Sequence, residues 1–186
     1  MRKEDITVYN QKPFLAKVNF SLRPEEMDKW TNMVTENASY KQEQTSIRMD
    51  RAYCKIYQPA HWGGKDLNPF CGRVSQLINL MLERLDMKGN KNFYAMADAW
   101  GLVYEPEESC GPHGHGHEND FAGVYYLKTT PGCGEIFFPE LETEIEPKSG
   151  DLVLFGSPVM HGVNPSKAFE STRICIAFNV RHNEPV

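Results

Sequence analysis

No window of this sequence approaches the run of about eighteen consecutive apolar residues that a membrane-spanning helix requires. The opening stretch, MRKEDITVYNQKPF, has no apolar core of the kind a secretory signal needs. There is no excess of basic charge either. With a net charge of −5 the chain lacks the footprint of a protein that binds through phosphate contacts, which favours a protein, peptide or small-molecule substrate over a nucleic acid. The five cysteines, Cys54, Cys71, Cys110, Cys133 and Cys175, are odd in number and include no C-x-x-C pair. That is not a disulfide framework, and a reducing compartment is expected. Repeats, low-complexity tracts and linker-like stretches are missing as well, so one domain over residues 1–186 is expected.

What is present has globular proportions: 186 residues, 40% hydrophobic and 24% charged. That length buries a core without staples. The first half, 1–91, reads as mixed. FLAKVNFSL (14–22) alternates well enough for a strand. In SLRPEEMDKWTNMVTENAS, Ser21 is a candidate cap, and Met27, Trp30, Met33 and Val34 recur at helical spacing. Residues 42–70 read mostly as loop. A second helix follows in PFCGRVSQLINLMLERLDM, with Val74, Leu77, Ile78, Met81 and Leu85 on one face and a stop at Gly89. Over 92–182 the chain breaks into short β-prone runs bounded by Gly, Pro, Asn and Asp. That spacing predicts a sandwich or barrel. The fold class expected is α+β, mainly β: a jelly-roll (double-stranded β-helix) core with the N-terminal helices packed on one face.

The densest chemistry is GPHGHGHEND, residues 111–120, which holds three of the chain's six histidines. In an extended segment His113, His115 and His117 project to one side, and two imidazoles at i and i+2 can share a metal ion. Imidazole alone does not choose between Fe, Zn, Cu and Ni. The plain alternative is a solvated Gly/His loop. Downstream, His161 follows the apolar run GDLVLFG, and Arg173 opens the apolar strand RICIAFN. Arg173 reads either as a solvated mouth residue or as a guanidinium that forks onto a carboxylate.

The ordered set H-x-H, FAGVYYL, EIEPKSGDLVLF, an isolated histidine and then RICIAFN resembles the Fe(II)- and 2-oxoglutarate-dependent oxygenases. Within them it is similar to the short prolyl-hydroxylase-like type of phages and bacteria, including members with H-x-H at the proximal position. The resemblance covers about residues 92–182. It implies a hydroxylase of a C–H bond, on a peptidyl proline or other protein side chain, that converts 2-oxoglutarate to succinate and CO2. It also implies Fe(II) and 2-oxoglutarate as cofactor and co-substrate, ascorbate as an accessory reductant, and a cytoplasmic setting (the host's, if phage-encoded).

In that scheme His161 is the distal metal ligand, and Arg173 with Tyr126 holds the far carboxylate of 2-oxoglutarate. Tyr125 and Tyr126 face opposite ways on a strand, so only one can enter the pocket. Either His113/His115 or His115/His117 supplies the proximal pair. His115/His117 is favoured because Glu118 and Asp120 then lie near enough to orient an imidazole. Asp120 is also a candidate for the carboxylate ligand that the H-x-H motif lacks. Trp100, Tyr104, Phe137, Phe138 and Phe155 are expected mostly in the core, with a minority at the pocket. AHWGGKDLNPF (60–70), with His61 and Trp62, reads as either a substrate loop or a packed surface loop. Two other readings stand beside the oxygenase: a metal-holding jelly roll without catalysis, and a cupin-type enzyme that does not use 2-oxoglutarate and assigns Arg173 no special role.

Overall fold

The structure, a computed structural model, describes residues 1–40, 52–57, 68–88 and 93–183. Most of the loop expected over 42–70 lies outside the described residues, including His61 and Trp62 of the candidate substrate loop; so does the helix stop at Gly89.

Among the described residues twelve strands and two α-helices are formed: β1 (Ile6–Gln11), β2 (Phe14–Asn19), α1 (Pro24–Asn37), β3 (Ala52–Tyr53), β4 (Lys55–Tyr57), α2 (Asn68–Arg84), β5 (Phe93–Tyr104), β6 (Ser109–His113), β7 (Phe121–Lys128), β8 (Ile136–Phe138), β9 (Thr143–Ile145), β10 (Asp151–Gly156), β11 (His161–Val163) and β12 (Arg173–Asn183). They make a seven-stranded sheet in the order β1-β2-β10-β7-β12-β5-β4 and a five-stranded sheet in the order β3-β6-β11-β8-β9. Every strand pairing is antiparallel. This is the mainly β jelly roll expected, and the first half of the chain is mixed, with the strand expected over 14–22 present as β2. The first half adds β1, β2 and β4 to the large sheet and β3 to the small one.

The large sheet is apolar on both faces. On one face Phe14, Ala16, Leu152, Leu154, Tyr125, Ile176 and Phe178 pack against Trp30 and Val34 of α1 and Val74, Ile78 and Met81 of α2. On the other, Leu15, Val153, Phe155, Val124, Tyr126, Cys175 and Ala177 meet Ile136, Phe138 and Ile145 of the small sheet. Period-2 alternation divides each central strand between these two cores. Gly123 is needed in β7, since a side chain there would come within 2.7 Å of the Phe178 ring.

The helices follow their patterns, with changes at the ends. Pro24 takes the first turn of α1, and the Glu26 carboxylate accepts from the Arg23 backbone N–H at 3.3 Å, so Arg23 rather than Ser21 is the cap. In α2, Leu82 is fully buried and Leu85 only partly. The helix ends at Arg84, where Asp86 takes a left-handed φ of 56°. Among the described residues no helix is long and apolar enough to cross a membrane.

Candidate metal centre and carboxylate pocket

His113 ends β6 and His161 begins β11, and the two strands pair so that these residues stand directly opposite one another. Their ring centroids are 4.3 Å apart. Beyond His113 the chain leaves the sheet but stays close. The His115 backbone N–H donates to the Ser157 carbonyl at 3.1 Å, which hangs the segment on the loop between β10 and β11. The His115 ring thereby lies 5.7 Å from His113 and 5.2 Å from His161, nearly parallel to the latter. One ligating nitrogen from each of the three histidines falls within 4.8 Å of the others.

The second ring nitrogens decide which way these imidazoles point. Nδ1 of His113 lies 3.0 Å from the Gly111 carbonyl, and Nδ1 of His161 lies 3.1 Å from the Val159 carbonyl. Nδ1 of His115 lies 2.5 Å from the Asn179 side-chain oxygen. Each partner can only accept, so each Nδ1 must carry its proton and donate. The three Nε2 atoms are thereby left with free lone pairs, the form a metal binds. Burial, reinforced by the neighbouring His113 and His115, holds the His161 imidazolium well below the ordinary histidine range. Burial likewise lowers His115, against a smaller upward pull from Asn179. Both histidines are kept neutral and ready to ligate.

The favoured pair, His115 with His117, is not the one the structure gathers: His113 stands where His117 was expected. The same-side projection needs extended chain, and here the strand stops at His113 and residues 117 and 118 form a turn. His117 and Glu118 are exposed. Asp120 does not join the cluster. Its carboxylate accepts from both the backbone N–H and the ring Nδ1 of His182, each at 2.8 Å. Among the described residues no carboxylate completes the group of three histidines.

At the start of β12, Arg173 is only 1% exposed. One guanidinium nitrogen, Nη1, donates to the Gly134 carbonyl at 2.8 Å, and the guanidinium carbon lies 4.3 Å from the centre of the Tyr104 ring. Nε and Nη2 are buried with no hydrogen-bond partner. A buried, half-unpaired cation is costly, and it calls for an anion from outside the chain. Tyr126 is buried on the same side, close enough that the Arg173 charge acts against the upward push of burial on its hydroxyl. Tyr125 faces the helices, where its hydroxyl donates to the Phe20 carbonyl at 2.9 Å and accepts from the Leu22 N–H at 3.2 Å. Tyr104 was foreseen only as one of several nearby aromatics; its place opposite Arg173 in β5–β12 sets its ring against the guanidinium.

The residues present therefore fit a divalent metal at the histidines and a carboxylate at Arg173. A family model described as putative 2OG-Fe(II) oxygenase matches residues 138–179, a segment that includes both His161 and Arg173. Over that segment the chain is similar to the 2OG-Fe(II) oxygenases. The resemblance drawn from the sequence is thus borne out, and the solved structures give the same fold. The viral collagen prolyl hydroxylase of Paramecium bursaria Chlorella virus-1, in its 2OG complex, is similar at a TM-score of 0.66 and 17% identity, over 91% of this chain and 96% of that one. A prolyl hydroxylase of Trichoplax adhaerens, in complex with a hypoxia inducible factor peptide fragment, is similar at 0.61 and 16%, over 90% and 83%. So is the non-heme alpha ketoglutarate dependent epimerase SnoN of nogalamycin biosynthesis, at 0.64 and 12%, over 89% and 76%. No curated protein matches the chain. In this fold His113 and His161 lie on β6 and β11 of the small sheet, and Arg173 opens β12 of the large one.

Proposed function

We propose that this protein is an Fe(II)- and 2-oxoglutarate-dependent dioxygenase that hydroxylates a C–H bond of a peptidyl proline or another protein side chain. His113, His115 and His161 hold the metal, and Arg173 with Tyr126 holds the far carboxylate of 2-oxoglutarate. The observation that carries this is the pairing of three histidines, whose ligating nitrogens lie within 4.8 Å of one another, with a buried guanidinium whose Nε and Nη2 have no partner. When bound, the iron and 2-oxoglutarate supply the oxidation: O2 is consumed, 2-oxoglutarate becomes succinate and CO2, and the substrate C–H becomes C–OH.

The chain's own part is placement. The carbonyls of Gly111 and Val159 and the amide oxygen of Asn179 fix the three tautomers. Arg173, seated by Gly134 and Tyr104, draws the co-substrate's free end away from the metal. Trp100 lies nearly parallel to His115 at 5.8 Å between ring centres, and Phe155 packs 4.5 Å from His161, so the cluster is shielded by aromatic walls. A structural zinc site is closed by four protein ligands, whereas this group has three among the described residues, which favours an open catalytic centre.

The prolyl-hydroxylase relatives, one of them holding a peptide, support the peptide substrate class. All five cysteines are free, which supports the cytoplasm as the working compartment, the host's if the chain is phage-encoded. The test is anaerobic titration with Fe(II) and then 2-oxoglutarate, read by the visible charge-transfer band of the chelate. Appearance of the band and its loss in Arg173→Ala are expected, with ascorbate then included in the succinate assay. Iron binding without a band on adding 2-oxoglutarate would overturn the co-substrate assignment.

A further inference from the structure

The oxygenase reading leaves an electrostatic gap, because three neutral imidazoles bring no negative charge to a divalent metal. The structure carries one nearby. Asn179 is 9% exposed and lies on the face of β12 that also presents Arg173, Cys175 and Ala177. Its side-chain oxygen accepts from His115 Nδ1 at 2.5 Å, and its amide nitrogen donates to the Asp98 carboxylate at 3.3 Å. The orientation of the amide is settled by its neighbours. A carboxylate only accepts, so nitrogen faces Asp98 and oxygen faces His115. Asn179 and Asp98 are direct cross-strand partners on β12 and β5. The register shifts immediately beyond them, with Val180 opposite Met96, so Ala97 is bulged out of the pairing. Bulges re-aim side chains, and this one falls where Asp98 must turn toward Asn179.

We propose that Asn179, anchored by Asp98, is the positioning residue that compensates for the absent carboxylate ligand. The chain Asp98–Asn179–His115 passes negative charge density to His115 Nδ1–H, fixes the ring with Nε2 toward the metal, and raises its strength as a donor. His115 is the right histidine for this role, since Nδ1 of His161 meets a backbone carbonyl and Nδ1 of His113 a backbone carbonyl and the Cys110 thiol at 3.6 Å, with no carboxylate behind either among the described residues. The inference rests on the metal assignment made above.

The test uses Co(II) as the probe, with affinity measured by calorimetry, the ligand-field spectrum recorded, and the melting temperature of the metal-free protein as the control for folding. Asn179→Ala should weaken Co(II) binding by about ten- to a hundredfold, the usual cost of removing such a partner. Asp98→Asn should weaken it less. Asn179→Asp alone sets two carboxylates against each other and should also lose affinity. The exchange Asp98→Asn with Asn179→Asp restores the donor–acceptor order with the charge one residue nearer. It should recover wild-type affinity or exceed it, with a shifted spectrum. A merely structural role predicts no such recovery. Wild-type affinity in Asn179→Ala, or no recovery in the exchange variant when its metal-free melting matches wild type, overturns the relay while leaving the metal centre intact. Failure of the wild type to bind Co(II), or full binding by His161→Ala, overturns the metal centre and the relay together.

Discussion

Tyr125 and Tyr126 are neighbours on β7 and face opposite ways across the large sheet. On the helix side the Tyr125 hydroxyl is satisfied twice, by Phe20 and Leu22, amid packed Phe70, Leu152 and Ile176. On the other side Tyr126 shares its core with Arg173, two of whose nitrogens are buried without a partner. Both faces are apolar and tightly filled, yet only one leaves polar groups waiting. A core built for stability satisfies its donors, whereas a core built for binding withholds that satisfaction until a ligand arrives.

Removing a histidine should break the contrast most sharply. His161→Ala takes away the most buried imidazole and one of three ligands. Metal binding should fall below detection in a calorimetric titration, and succinate formation with it.

Arg173→Met separates stability from function. It removes the buried unpaired nitrogens while keeping most of the side-chain volume. The metal-free protein should gain on the order of 1 kcal/mol in urea denaturation. Binding of 2-oxoglutarate to the metal-loaded protein should disappear.

The two tyrosines give the matched pair. Tyr125→Phe should cost about 1 kcal/mol of stability and leave co-substrate affinity unchanged. Tyr126→Phe should do the reverse, weakening 2-oxoglutarate binding several-fold with little change in the denaturation midpoint.

The smallest effect sharpens the comparison from outside the cavity. Glu135, beside the Gly134 that seats Arg173, accepts from Lys167 at 2.6 Å and from Asn164 at 3.2 Å. Lys167 foremost holds its carboxyl below the usual glutamate range. The folded state therefore binds this proton less readily than the unfolded chain. Its contribution is complete above the ordinary glutamate value and is lost as pH falls through the folded one. Glu135→Gln should melt slightly lower than wild type at neutral pH and converge with it in acid.

The burial and facing of His161, Arg173 and Tyr126 were legible because each sits on or beside a long apolar strand, where period 2 decides the face. The same rule misled at His117, because it was carried past the end of β6 into a turn. Asn179 was hidden in plain order. Arg173, Cys175, Ala177 and Asn179 form one alternating set, and an amide buried in such a set is a signal that sequence could have offered. What sequence could not offer was Asp98, which meets Asn179 only through the β5–β12 register. The edge strand β1 was also missed. Only Ile6 of its six residues is buried, so ITVYNQ carries almost no apolar rhythm.

The cross-strand placement of His113 and His161 has a consequence for how the chain folds. β11 has three residues and β6 has five, too little pairing to hold the small sheet firmly by itself. An ion bound by both histidines is a crosslink between segments far apart in the chain, closing a loop that contains β7 through β10. Like any such staple it restricts the unfolded ensemble and favours the folded one by mass action. With a metal held there, its supply would govern the lifetime of the small sheet as well as its chemistry, and amide hydrogen exchange in β6 and β11 should slow on loading while α1 and α2 stay as they were.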